Sequence, residues 1–258
     1  MIDSEKKAYF LGLLLADGGN NCEPGDDAYL SLSLSRPGDK TVVDALRTEL
    51  NGNQKVYVSK RVGKKVENNF KIYRRELVER LRERGVVKDT KEHRIARPHE
   101  IPLGLRKHLI RGLLDGDGTI YPPKHELTIH SASRRMLNTV STWINAAFLT
   151  HKRIKVVRDN VTKNSVQMYS LTPGGGKPLE VMEWLYSGAC IYLPRKERAY
   201  MKWKLQQEEA ALKKQENDPF RPYANEIQDL IQKKVDGTIK RGAQAVLATK
   251  IGVSPSRL

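Results

Sequence analysis

Cysteine is nearly absent from this 258-residue chain. Cys22 and Cys190 are the only two, with no CxxC and no close Cys/His pairing, which excludes a disulfide framework and a structural zinc site and fits a reducing compartment. Long apolar runs are missing as well. The run that begins at Phe10 extends for only about eight residues, too short to span a membrane, and no small-residue cleavage pattern follows it. The expectation is therefore a protein that is not secreted and needs no membrane, cytoplasmic, or organellar or nucleoid-associated if encoded there. Acidic residues are scarce, with 30 aspartates and glutamates against 46 lysines and arginines, for a net charge of +16. Such a balance favours a polyanionic partner, although ribosome-associated and membrane-surface proteins share it, so motifs must decide. The six histidines show no metal-ligand spacing, and His93, His99 and His108 read as loop and surface residues. What is present, 39% apolar residues, is enough to bury one large core or two modest ones and excludes disorder as the default.

The chain contains itself twice. Phe10 to Gly18 (FLGLLLADG) aligns with Ile110 to Gly118 (IRGLLDGDG) at an offset of 100 residues, about one small domain. A second pair follows, in which Arg84-Gly85-Val86-Val87 leads to Lys91 and Ser187-Gly188-Ala189 leads to Lys196, at an offset of 105. Between these anchors each half reads αββαββα. Leu30, Leu32 and Leu34 alternate with Ser31, Ser33 and Ser35, a period of two that predicts a half-buried strand. Strands are also expected over 55–62, 68–74, 126–131, 153–158 and 166–171, and helices over 41–50, 75–84, 134–148 and 179–186. Pro98 and Pro102 disfavour helix at the junction. The expected division is a first repeat at 1–92, a linker at 93–103, a second repeat with a trailing helix at 104–217, and a helical extension at 218–258.

Ala8, Gly12 and Ala16 share one face of the first motif helix, and Gly112 and Gly116 share one face of the second. Small residues at that spacing allow close backbone approach, so each motif helix should pack on the other, with Leu11, Leu14, Leu113 and Leu114 entering the two cores. Asp17 and Asp117 would then lie side by side at two helix C-termini. That placement is unfavourable alone, since a carboxylate facing the negative end of a helix dipole costs roughly 0.3–1 kcal/mol and a second carboxylate adds repulsion. Two oxygen ligands with room for water and phosphate suit Mg²⁺. A single Asp-Gly is a common helix stop; two copies 100 residues apart are harder to dismiss.

The two motifs resemble the LAGLIDADG family of homing endonucleases, specifically its single-chain, two-repeat members, over about residues 5 to 205. The resemblance implies an α+β fold of two pseudo-symmetric αββαββα repeats, whose saddle-shaped antiparallel sheets lie on double-stranded DNA, and a small helical C-terminal extension. It implies hydrolysis of both strands to short 3′ overhangs with Mg²⁺ or Mn²⁺, Ca²⁺ supporting binding without cleavage, by a monomer with no obligate protein partner. Asp17 and Asp117 match the family's acidic metal ligands, and Ala16 and Gly116 beside them join the metal set. Leu15 departs from the usual acidic sixth residue, which Asp115 keeps; that position is not the metal ligand. Lys196, in Leu193-Pro194-Arg195-Lys196, matches the basic residue that assists catalysis, and Lys91 is its looser counterpart.

If the leucines of 30–34 face the core, Ser31, Ser33 and Ser35 face outward, and the same parity exposes Lys55, Tyr57, Ser59, Arg61, Asn69, Lys71 and Tyr73. In the second half Thr128, His130, Arg153, Lys155, Gln167 and Tyr169 hold the equivalent places. These hydrogen-bonding side chains could read base edges and phosphates. Strands of seven to nine residues span roughly 25–30 Å, about eight base pairs per half, so the target should be long and only approximately symmetric. Farther on, 195–215 and 224–235 read as helices, and 244–251 with Gly252-Val253-Ser254 resembles the first helix and turn of a helix-turn-helix. An RNA-binding intron maturase on the same scaffold, and a transcription regulator derived from it, are the competing readings; the second predicts loss of an acidic ligand, which the sequence does not show.

Overall fold

The two motif helices fold as one paired element. In the computed structural model, which describes residues 2–22, 27–53, 56–59, 67–89, 92–148, 152–157, 168–173, 178–216, 221–236, 238 and 242–251, helix α1 (Glu5–Asp17) lies against α4 (Leu103–Asp117). Ser4 caps α1 by accepting a hydrogen bond from the Lys7 N–H at 3.3 Å, and Glu5 places negative charge at its first turn. Every residue from Ala8 to Leu15 is buried, because α1 is covered on one side by its own sheet and on the other by α4. Leu11, Leu14, Leu113 and Leu114 all lie in the core, as their positions on the motif predict.

The small-residue face works as the spacing requires. A methyl group added at Gly12 would sit 2.0 Å from the Leu109 carbonyl oxygen, and one at Gly112 would sit 2.1 Å from that of Tyr9. These are backbone contacts with no flexible side chain to give way. At Gly116 the added carbon would meet the Ala16 methyl at 2.4 Å and an Asp17 carboxylate oxygen at 3.0 Å. The aspartate of the first repeat therefore lies directly over the glycine that precedes the aspartate of the second.

Each repeat carries its sheet next. The first holds β1 (Gly18–Asn21), β2 (Tyr29–Leu34), α2 (Lys40–Glu49), β3 (Tyr57–Ser59), β4 (Glu67–Ile72) and α3 (Arg75–Glu83). The second holds β5 (Gly118–Tyr121), β6 (Glu126–Ser131), α5 (Arg134–Phe148), β7 (Lys152–Val157), β8 (Met168–Pro173) and α6 (Pro178–Tyr186). Both described sheets are antiparallel, in the orders β1-β2-β4-β3 and β5-β6-β8-β7, so the α+β fold of two αββαββα repeats is present. The first strand of each, entered straight from Asp17-Gly18 or Asp117-Gly118, is only four residues long and shows too little alternation to be read from sequence.

The linker is less of a surface than its prolines suggest. His93, Ile95 and Ile101 are buried, while Arg97 takes a left-handed conformation (φ 51°) before the one-turn 3-10 helix Pro98–Glu100. His93 bridges two carbonyls, with Nδ1 2.9 Å from that of Leu15 and Nε2 2.8 Å from that of Val87. His108 is also buried, its Nδ1 2.9 Å from the Arg111 guanidinium. The expectation of loop and surface histidines thus fails for both and holds for the exposed His99, because polar ring nitrogens can enter a core wherever main-chain or side-chain partners satisfy them.

Helix α7 (Pro194–Glu216) follows, then α8 (Ala224–Val235) and α9 (Ala243–Ile251). Both repeats belong to one compact unit, Met1–Trp203, and Lys204–Leu258 forms a second. In that second unit α8 and α9 contact each other, and Lys250 pairs with Glu226 at 2.6 Å. The expected recognition helix near Ser254 falls outside the described residues.

The close approach of α1 and α4 should make Gly12→Ala and Gly112→Ala each cost about 3 kcal/mol or more in urea denaturation. Gly104→Ala, in the same helix pair but with nothing within 4 Å of the added methyl, should be neutral or stabilising. Equal behaviour of the three variants would contradict the seam.

Candidate active site

The two helix ends deliver Asp17 and Asp117 to one place, each half-buried. Burial raises the Asp17 carboxyl from 3.8 to about 6; the Arg195 and Lys196 charges pull it down and Asp39 pushes it up. Asp117 rises further, to about 7, through burial and then through the charge on Asp17, with Lys196 opposing. The order is physically coherent. Asp17 ionises first, so Asp117 must lose its proton beside a negative charge already in place.

Lys196 is the cation whose charge acts on both aspartates. It is buried, and its ammonium donates to the Gly118 carbonyl, immediately after Asp117. Burial and the neighbouring Arg195 lower it to about 8, against the upward pull of Asp115, Asp17 and Asp117. Burial lowers His130 too, with a further push from Lys196, while Glu126 raises it. One ammonium cannot neutralise two carboxylates, and both aspartates keep their protons well above the ordinary range.

Among the described residues no cluster of three or more His, Cys, Asp or Glu side chains could hold a metal. The groups that could donate to one are the two carboxylates and, since Ala16 and Gly116 carry no side-chain ligand, the main-chain carbonyls of those residues at the helix ends. Such an all-oxygen set leaves places for water and phosphate and fits a hard divalent cation of the Mg²⁺ class.

Three residues to which the motifs assigned no role, Arg195, Asp39 and Asp115, adjoin these groups. Arg195 pairs with the buried Asp39 at 3.2 Å and donates to the Asp115 carbonyl at 3.2 Å, so a carboxylate of the first repeat orients a guanidinium of the second. Asp115 is fully buried and accepts from Tyr9 (2.8 Å), Tyr186 (2.6 Å) and the Leu193 N–H (2.7 Å). Sequence offered a weak signal for Asp115, an acid inside an apolar helix, and none for Asp39, which is 156 residues from its partner.

Lys91 lies outside the described residues. Helices α3 and α6 begin 103 residues apart, and the left-handed glycines that follow them, Gly85 (φ 100°) and Gly188 (φ 68°), keep that spacing. At that offset the first-repeat residue matching Lys196 is His93, and both side chains grip a carbonyl near the end of their own repeat's motif helix.

The expected DNA-facing residues divide. Leu30, Leu32 and Leu34 are buried, Ser33 and Ser35 exposed, and Ser31 half-covered, with its hydroxyl on the Gly19 carbonyl at 3.4 Å. Asn69, Lys71 and Tyr73 lie on the outward parity of β4, where Lys71 sits 4.5 Å above the Tyr29 ring. The backbone of Tyr57 pairs with Asn69, that of Ser59 with Glu67, that of Arg153 with Thr172 and that of Lys155 with Ser170. Lys55, Arg61 and Gln167 lie outside the described residues.

Two second-repeat expectations are corrected. Thr128 has the outward parity of His130 but is buried, its hydroxyl 3.1 Å from that of Thr172 and donating to Glu126. Tyr169 shares the face of Leu171 and packs against the core. The strand runs 168–173, not 166–171, and the opposite parity falls to Ser170, itself buried, and the half-buried Thr172.

No family model matches the sequence, and no curated protein does. Solved structures do. I-DmoI in complex with DNA and Ca is 16% identical, with a TM-score of 0.56 over 77% of this chain and 97% of that one. I-WcaI bound to its DNA recognition sequence is 12% identical, with a TM-score of 0.51 over 78% and 87%.

The raised carboxyls carry a sign for stability. A folded state that holds protons more tightly than the unfolded chain is favoured below about pH 4 and loses that advantage as pH rises through 6 and 7. In EDTA, Asp117→Asn should therefore gain stability over the parent between pH 5 and pH 8, by about 1–2 kcal/mol once partial solvent access is allowed for. Mg²⁺ at pH 8 should stabilise the parent and not the variant. Parallel urea-denaturation curves for the two proteins across that range would contradict the proximity of the aspartates.

Two motif helices joined through glycines, an aspartate at the end of each, and a four-stranded antiparallel sheet behind each give this chain the fold of a single-chain, two-repeat LAGLIDADG homing endonuclease.

Proposed function

We propose that this protein is a metal-dependent endonuclease that, as a monomer, cuts both strands of a long, near-asymmetric double-stranded DNA target and leaves short 3′ overhangs. The observation that carries the reading is the convergence of Asp17, Asp117 and Lys196 at the seam between repeats, with neither carboxylate neutralised within the protein. The I-DmoI and I-WcaI structures that share the fold hold DNA, and I-DmoI structures include Ca, Mn and Mg, which supports DNA and a divalent cation as ligands here.

Asp17 and Asp117, with the carbonyls of Ala16 and Gly116, would hold Mg²⁺ or Mn²⁺, which when bound supplies charge stabilisation to the attacking and leaving oxygens of the phosphodiester. Lys196 presents its ammonium to the charge that develops on the phosphate, and at about 8 it can give up or take a proton close to neutral pH. Arg195, held between Asp39 and the Asp115 carbonyl, adds a second positive charge whose direction is set before substrate arrives. Ser33, Ser35, Lys71, Tyr73 and His130 offer donors and acceptors on the outward sheet faces, where base edges and phosphates would lie.

Incubation with a randomised duplex library, followed by end sequencing, tests the reading. Double-strand breaks are expected at one long site in Mg²⁺, and specific retention without breaks in Ca²⁺; specific binding with no breaks in Mg²⁺ would refute the enzyme. Asp17→Asn and Asp117→Asn should each abolish double-strand cleavage and leave Ca²⁺-supported affinity within about threefold of the parent. Lys196→Met should slow single-turnover cleavage by about 10²-fold or more.

A further inference from the structure

The two repeats are not tied in the same way where the motif helices meet the segments that follow the last helix of each repeat. In the second repeat that segment runs from Ile191 into the first turn of α7, and it carries Arg195 and Lys196. Leu193 stands at the N-cap of α7: its carbonyl accepts from the Lys196 N–H at 2.9 Å and from the Glu197 N–H at 3.2 Å, and Pro194 follows at the first helical position. As an N-cap residue its own N–H lies outside the helix ladder. That N–H donates instead to the buried carboxylate of Asp115, at 2.7 Å.

Asp115 is anchored from two further directions. Tyr9, on the other repeat's motif helix, donates to the oxygen that Leu193 uses, and Tyr186, at the end of α6, donates to the other oxygen. Both tyrosines are buried, so the carboxylate has a fixed orientation. The main chain of Asp115 holds the same segment a second time, since its carbonyl accepts from Arg195. One residue thus grips the start of α7 through a side-chain oxygen and a backbone oxygen, one helical turn before the Gly118 carbonyl that receives the Lys196 ammonium.

We infer that Asp115 is a positioning residue. Its carboxylate fixes the Leu193 N-cap, and thereby sets the direction in which the first turn of α7 presents Arg195 and Lys196 to the two aspartates. The first repeat has no equivalent, because Leu15 stands where Asp115 would be; there the His93 ring bridges the Leu15 and Val87 carbonyls. Among the described residues, the basic groups that act on the two aspartates, Arg195 and Lys196, both come from the second repeat. The catalytic part of this inference rests on the endonuclease reading, whereas the placement of Lys196 by Asp115 does not.

The test uses the full chain and three variants. Asp115→Leu removes the acceptor of the Leu193 N–H, Tyr9→Phe and Tyr186→Phe each remove one donor to Asp115 without touching Leu193, and all three are expected to lose stability. Acylation of Lys196 by an amine-reactive reagent, followed by peptide mass spectrometry, should be about tenfold faster in Asp115→Leu and within about threefold of the parent in both tyrosine variants. Single-turnover cleavage in Mg²⁺ should fall about 10–100-fold in Asp115→Leu only, with Ca²⁺-supported DNA affinity within about threefold. Lys196→Met should absorb most of that loss, so that the double variant cleaves no more than about threefold slower than Lys196→Met alone. Parent-like labelling of Lys196 in Asp115→Leu would overturn the inference, as would tyrosine variants that reproduce the Asp115→Leu effects. Faster labelling with no cleavage by any protein, the parent included, would leave the placement standing and remove the endonuclease reading. If Asp115→Leu does not fold, hydrogen exchange on the unaltered protein decides. The Leu193 amide should exchange at least about a hundredfold more slowly than a free peptide, and exchange at the free-peptide rate overturns the proposal.

Discussion

The architecture depends on two helix backbones touching. Gly12 against the Leu109 carbonyl, and Gly112 against that of Tyr9, leave no room for a β-carbon, and this contact sets the distance between everything the two repeats carry. Once α1 and α4 meet there, their C-termini end together, Asp17 lies over Gly116, and the first strand of each sheet leaves from the same point in opposite halves. The seam is therefore both the main core contact between repeats and the device that assembles the site. A larger residue at either glycine would separate the aspartates as it separates the helices.

That convergence concentrates negative charge where the helix dipoles are already negative. Burial is the first cause of the raised carboxyls and the charge on Asp17 the second for Asp117; Lys196, and for Asp17 also Arg195, which is itself paired with Asp39, offset the rise only in part. Under the proposed function, a site short of positive charge and supplied with oxygen donors would receive a divalent cation and a phosphate together.

The pseudo-symmetry is strict in topology and loose in chemistry. The sheets repeat strand for strand, and the left-handed glycines recur after matching helices. Yet the position that holds Asp115 in one half holds Leu15 in the other, and the place of Lys196 falls to His93. A repeat can diverge at such positions because each fills a local role, tying a loop to a helix end, that a carboxylate or an imidazole bridging carbonyls can serve equally well. Among the described residues, the basic side chains whose charge acts on the aspartates come from the second half.

Much of this was legible in the sequence. The offset between the two Asp-Gly motifs revealed the duplication, the glycine spacing revealed which helix faces meet, and the Leu/Ser alternation over 30–35 oriented β2, because each of these is a short-range periodicity that a side chain's direction obeys wherever the strand or helix lies. The same periodicity misplaced Tyr169, since parity is meaningful only once a strand's ends are known and those of β8 are set by its pairing with β7. Tertiary structure alone decided that Thr128 lies against Thr172, that His93 is core, and that Arg195 is held between Asp39 and the Asp115 carbonyl. Those facts join residues of different elements through hydrogen bonds and burial, and no local pattern in the chain records which distant partner will satisfy a polar group. The sequence by itself determined that two aspartates would end two matched helices; the packing of those helices decided that they form one site, and how its positive charges are aimed.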